Sequence, residues 1–190
     1  MNSALRRLSL LALAVVASAC SMTPATPPDS QASQWQLSGK IGLWMGDQQE
    51  SASITWQHCS PASGRLRLSG PLGSGAIEIV QQPGQVTLRQ GGDSRTADSA
   101  EQLALEAGWP IPVSALSFWV RGMAAPTSAQ ESQLSPQGQL RHLQQLGWEI
   151  DFNYGENQQL PNRLEAVTED QKVVLLIREW IAAPEYCQQP

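Results

Sequence analysis

From Trp35 onward the large apolar residues of this chain recur at every second position in short runs, and no other feature narrows its fold as much. Leu37, Ile41 and Leu43 share one parity, Ile54 and Trp56 alternate with Ser53 and Thr55, and Leu66 and Leu68 alternate with Arg65 and Arg67. Ile77 and Ile79 flank Glu78, and Val86 and Leu88 follow a Pro83-Gly84 turn. Further on, Trp148, Ile150, Phe152 and Tyr154 alternate strictly with Glu149, Asp151 and Asn153. Leu164 and Ala166 follow Pro161, and Val173, Leu175 and Ile177 close the series. Successive side chains of a strand point to opposite faces, so this period puts the large residues on one side. Short runs of this kind, separated by turn residues, predict antiparallel strands with one apolar face.

The middle of the chain breaks the period. Asp98 and Glu101 have the spacing of a capping box, and Ala100, Leu103, Ala104 and Ala107 recur at helical intervals up to Gly108. Pro110 and Pro112 then bend the chain, with Pro112 suited to a first helical turn. A second helix is predicted from Val113 to Arg121, ended by Gly122. It is apolar almost all round, so it must be covered or must cover something apolar. The order of strands, two helices, then strands predicts a mainly β fold with an α lid. The expected form is an unclosed antiparallel β-barrel, a half-barrel, with short helices lying over a hydrophobic cavity. A single domain over residues 34–190 is expected, with no internal repeat.

The first nineteen residues read as a signal peptide. Arg6 and Arg7 precede the apolar run Leu8 to Ala17, which is too short to span a bilayer. Ala17, Ser18 and Ala19 stand before Cys20, and this arrangement resembles the bacterial lipobox, whose cysteine is lipidated. Ala17 stands where that pattern usually has leucine. Ser21, in place of aspartate, implies sorting to the outer membrane by the same resemblance. Residues 20–33, with Pro24, Pro27 and Pro28, then form a lipidated tether. Cys59 and Cys187 remain, and their spacing allows either a disulfide or two thiols.

Charge and motifs exclude several functions. Seventeen acids against twelve bases, with only Lys40 and Lys172 as lysines, argue against a nucleic-acid partner. The histidines, His58 and His142, stand in no metal-ligand spacing, and no G-x-S-x-G elbow is present. Gly73-Ser74-Gly75 is followed by a β-like run, not by a helix that would cradle phosphate. Neither catalysis, a metal nor a cofactor is expected.

What stands out is apolar. Seven tryptophans point either to a packed core or to a cavity between sheet and helices that holds an apolar ligand. Leu72 lies at the tip of the turn Ser69-Gly70-Pro71-Leu72-Gly73-Ser74-Gly75. It either folds back on the core or protrudes toward something apolar such as lipid.

Taken in order, Gly39-Lys40-Ile41-Gly42, Trp56, Gly70-Pro71-Leu72-Gly73 and Gly108-Trp109-Pro110-Ile111-Pro112 resemble the LolB family of outer-membrane lipoprotein receptors. Leu116, Trp119, Gly122, Gly147-Trp148, Leu160-Pro161 and Trp180 continue the pattern. The resemblance implies a monomeric, lipid-anchored protein on the periplasmic face of the outer membrane. Such a protein accepts lipoproteins from a LolA-type periplasmic carrier and inserts them into the inner leaflet. It also implies that Leu72 enters the membrane. The inward residues Ile41, Leu43, Ile54, Trp56, Leu68, Ile77, Ile79, Trp148, Ile150, Leu175 and Ile177 are expected to line or support the acyl cavity. Leu116 and Trp119 are expected on the lid. The alternative is a lipid-anchored assembly module whose sheet binds a protein partner; displacement of a fluorescent fatty acid separates the two.

Overall fold

The computed structural model describes residues 29–70, 75–106, 110–126 and 131–188. Six strands come first: β1 (Trp35–Met45), β2 (Gln48–Ser60), β3 (Ser63–Ser69), β4 (Ile77–Gln82), β5 (Gln85–Gln90) and β6 (Asp93–Ala97). Helices α1 (Ala100–Glu106) and α2 (Val113–Trp119) follow. The chain then adds β7 (Glu131–Leu134), β8 (Leu140–Gln145), β9 (Trp148–Asn153), β10 (Arg163–Val167) and β11 (Gln171–Ala182), and a 3-10 turn over Glu185–Gln188. The strands form one eleven-stranded sheet in the order β6-β5-β4-β3-β2-β1-β11-β10-β9-β8-β7. Every pairing is antiparallel, and sequential hairpins spread outward from a central seam between β1 and β11. β6 and β7 are free edges, so the barrel is unclosed; α1 and α2 carry the chain from one edge toward the other.

The alternation seen in the sequence becomes the inner face. Trp148, Ile150 and Phe152 of β9 are buried while Glu149, Asp151 and Asn153 are exposed. Across the seam Ile41 pairs with Leu175 and Leu43 with Val173, and on the other side Leu37 pairs with Trp56. The register shifts at Ser38/Gly39. A Cβ at Gly39 would collide with the main-chain carbonyl of Leu176, so the bulge at the seam requires glycine there. The main core joins β1, β2 and β8–β11 to α2. A second, smaller cluster of Val86, Ala97, Ala100 and Leu103 seats α1 on β5 and β6.

Both helices differ from expectation at their ends. Ser99, not Asp98, caps α1: its Oγ accepts from the Gln102 backbone N–H at 3.2 Å. Ser99 has the same three-residue spacing to Gln102 that Asp98 has to Glu101. Glu101 is thereby freed to accept from the Ser114 backbone N–H at 2.6 Å, which ties α1 to the start of α2. The second helix begins at Val113 with Pro112 as its flanking cap. It ends at Trp119, and Val120 and Arg121 belong to the closing turn. Gly122 stops it as expected, with φ +72°. Its N–H donates to the Trp119 carbonyl and the Met123 N–H to that of Phe118, a Schellman-type closure. The expectations for residues 1–28, Leu72, Ala107, Gly108 and Trp109 lie outside the described residues.

The open cysteine question has an answer in the fold. Cys59 at the end of β2 is bonded to Cys187 in the 3-10 turn, with Cα atoms 5.2 Å apart. Beside it the Arg65 guanidinium lies over the Tyr186 ring at 4.3 Å.

Candidate functional site

Between the two clusters the inner face is not filled. A hollow of about 170 Å³ lies under the helices. Ile41 and Leu43 of β1, Ile54 and Trp56 of β2, and Leu66 and Leu68 of β3 form one wall. Ile77, Ile79 and Leu88 of β4 and β5 form the other, and Ala100, Leu103, Ala104, Ile111, Val113 and Leu116 form the roof. Glu50, Arg65 and Gln81 also border it. Walls of this composition offer an occupant dispersion and exclusion from water, and little to hydrogen-bond.

Among the described residues, most of the hydrogen bonds that hold the roof gather at the C-terminal end of α2. The side chain of Gln145 is fully buried on the inner face of β8. Its Oε1 accepts from Trp119 Nε1 at 2.8 Å and from the Ala125 N–H at 2.9 Å, and its Nε2 donates to the Ala125 carbonyl at 3.0 Å. Arg121 is also buried and donates to the carbonyls of Ser117, Ser30 and Ala32. Its guanidinium lies over the rings of Phe118 and Trp35. The C-terminal end of α2 is thus pinned to β8 and to the segment entering β1. The seven-residue α1 rests on the small cluster, the Glu101–Ser114 contact and its own cap.

Trp35 closes the far end of the core. It meets Trp56 and Trp180 edge to face, with centroids 5.2 and 5.7 Å away, and His58 stacks on it at 5.0 Å. Burial, reinforced by the charge of Arg121, lowers the His58 pKa from 6.5 to about 4. The unfolded chain binds a proton near pH 6.5 and the folded chain only near 4, so stability is lost as pH falls through that window. Urea midpoints should therefore decline from pH 6.5 to 4, and His58→Gln should flatten that part of the curve. An unaltered slope in the variant would remove His58 as its source. His142 Nδ1 lies 2.8 Å from Asp151 Oδ1, across the β8–β9 pair. Neither histidine borders the hollow.

Of the residues singled out from the sequence, Ile41, Leu43, Ile54, Trp56, Leu68, Ile77, Ile79 and Leu116 come together around the hollow. Trp119, Trp148, Ile150, Leu175 and Ile177 do not border it; they form the packed core beside it. Cys20 and Leu72 lie outside the described residues. The sequence-based set omitted Leu66, Leu88, Ala100, Leu103, Ala104, Ile111 and Val113. The parity of Leu66 and Leu88 and the helical stripe of α1 were the signals that could have added most of them. Among the described residues, no three His, Cys, Asp or Glu side chains gather as a metal site.

An unclosed antiparallel sheet roofed by short helices over an apolar hollow defines a half-barrel class of fold. A crystal structure of a LolA superfamily protein from Nitrosomonas europaea has this fold, with TM-score 0.51, 87% of this chain and 92% of that one covered, and 7% identity. The chain belongs to the LolB family: the sequence profile described as outer membrane lipoprotein LolB matches residues 33–180. The outer-membrane lipoprotein LolB of Cellvibrio japonicus is 41% identical, over 92% of this chain and 97% of that protein. The same-named protein of Pseudomonas aeruginosa PAO1 is 37% identical, over 80% of this chain and 76% of its own length.

Proposed function

We propose that this protein accepts lipoproteins from a LolA-type periplasmic carrier, shelters their acyl chains in the hollow, and inserts them into the inner leaflet of the outer membrane. The observation that carries the reading is the helix-roofed apolar hollow in a chain of this family. Ile41, Leu43, Ile54, Trp56, Leu68, Ile77, Ile79 and Leu116 touch the chain; Trp119, Trp148, Ile150, Leu175 and Ile177 hold the walls. An acyl group of roughly fifteen methylenes would cost about 12 kcal/mol to expose to water, so the cargo has to move under cover. Transfer runs downhill from carrier to hollow to bilayer, and this needs no bond to be made or broken. The protein itself is held at the periplasmic face of the outer membrane by lipid on Cys20.

Pockets that enclose small molecules hold about 300–1,000 Å³, more than the hollow does, so on this reading the roof has to rise to admit an acyl chain. Because α2 is pinned at its C-terminal end, loading lifts α1 and the start of α2 away from β5 and β6.

The experiment is a two-step transfer assay: fluorescent lipopeptide passes from loaded carrier to purified protein, and then to liposomes. Leu72→Glu should leave the first step at its normal rate and slow the second at least tenfold, since a buried charge at that tip opposes entry into hydrocarbon. Normal delivery by this variant would end the role given to Leu72. Failure of the unaltered protein to take up lipopeptide would end the whole reading.

A further inference from the structure

The outer face of the first hairpins carries an unusual charge arrangement. Arg67, Glu78 and Arg89 lie in one cross-strand row over β3, β4 and β5. Arg65 reaches the same carboxylate from the next outward position, so three guanidiniums converge on Glu78. Arg65 is further engaged by Tyr186. Arg67 and Arg89 are about 60% exposed, and Glu78 is their only ion-pair partner among the described residues. Arg67, Glu78, Arg89, Gly91, Gly92 and Ser94 border a shallow concavity, and Asp93, from the opposite parity, stands at its turn end. Even with both carboxylates counted, three arginines leave this patch positive in a chain whose formal charge is −5.

The position of the row matters as much as its sign. It is the last outward-facing row shared by the three strands before the β3–β4 and β5–β6 turns, which leave the sheet at one end. Asp47 and Asp170 stand in the β1–β2 and β10–β11 turns at the same end of the sheet, so the positive charge is confined to this corner, where the exposed guanidiniums act on an anionic surface at short range. Arginine forks suit phosphate oxygens, and a basic side chain near an anionic bilayer contributes about fivefold in binding.

We propose that Arg67 and Arg89 form a docking patch for the phosphates of anionic phospholipids, orienting the β3–β4 end on the bilayer before cargo is released. This rests on the reading that this end meets the membrane. Among the described residues every buried apolar side chain lies at or beyond Trp35, so the unacylated chain begun at Ser21 keeps all of them and isolates the patch from the proposed lipid anchor.

The test measures binding of this chain to phosphatidylcholine vesicles with and without about 30% phosphatidylglycerol, and delivery of fluorescent lipopeptide to each. The unaltered chain should bind the anionic vesicles at least tenfold better, with the preference lost in 0.5 M salt. Arg67→Gln with Arg89→Gln should lose the preference while still taking up fatty acid normally. Arg67→Lys with Arg89→Lys, which keeps the charge, should retain most of it. Leu72→Gln, which adds no charge, should keep the preference but fail to deliver to either vesicle, so failure of the patch and failure of the membrane-entry reading look different. The proposal is overturned if the double glutamine variant keeps full preference. It is equally overturned if that variant loses acceptance from loaded carrier instead, which would make the patch a carrier surface.

Discussion

Ile79→Trp should weaken acyl-chain binding by about a hundredfold and leave the fold intact. Ile79 is half-buried on the inner face of β4, pairs with Leu88, and faces a hollow of only about 170 Å³. An indole there takes the space of three or four methylenes of a bound chain. At about 0.8 kcal/mol each the loss is about 3 kcal/mol, or two orders of magnitude in affinity. Ile79→Val, which leaves the space open, should bind nearly as the unaltered protein does. Titration with a fluorescent fatty acid reads both, and urea unfolding shows whether either is damaged. Equal affinity in the tryptophan variant would place the acyl chain elsewhere.

Removing the disulfide should have the largest effect on stability. The bond joins residues 128 apart in sequence. Opening a loop of that size returns entropy to the unfolded chain worth roughly 5 kcal/mol, a large part of the 5–15 kcal/mol that holds a typical domain together. The paired variant Cys59→Ser with Cys187→Ser leaves no odd thiol to react. Its urea midpoint should fall accordingly, with the native protein in dithiothreitol matching it. A change below about 1 kcal/mol would mean that the packing around Tyr186, not the covalent link, fixes the C-terminal turn.

Much of this architecture could be read from residues alone, and where it could not the reason is physical. Period-2 alternation identifies β1–β5, β9 and β10 because one face of each is more deeply buried than the other, whereas β11 buries Val173, Val174 and Leu175 in succession and is read from its apolar run. β6 and β7 are edge strands with little to bury: four of the five residues of β6 and all of β7 are exposed, so neither carries a pattern. β8 misleads in another way. Its buried residues are Leu140, Leu143 and Gln145, which share no single parity, and the register shifts beside it at Gln133/Leu134. Gln145 also puts an amide where the alternation calls for a hydrocarbon, because the lid needs a hydrogen-bonding anchor there. Sequence parity equally cannot separate Ile54, which borders the hollow, from Ile150, which is packed solid. Both are inward and apolar; only the placement of the helices decides which has empty space above it.

The seam between β1 and β11 has a consequence for how the molecule comes into being. The strand at the sheet's midline finds one of its two neighbours only in the last part of the polypeptide, so the centre is the final piece to be completed. Contacts that span nearly the whole length are slow to form, since the closure entropy must be met before the contact repays it. A chain emerging amino-terminus first can therefore assemble the β2–β6 hairpins locally but cannot bury Trp35 and Leu37 until its tail arrives. If the first nineteen residues act as the export signal their sequence predicts, a chain crossing the membrane amino-terminus first leaves the middle of its fold unfinished until its tail has followed.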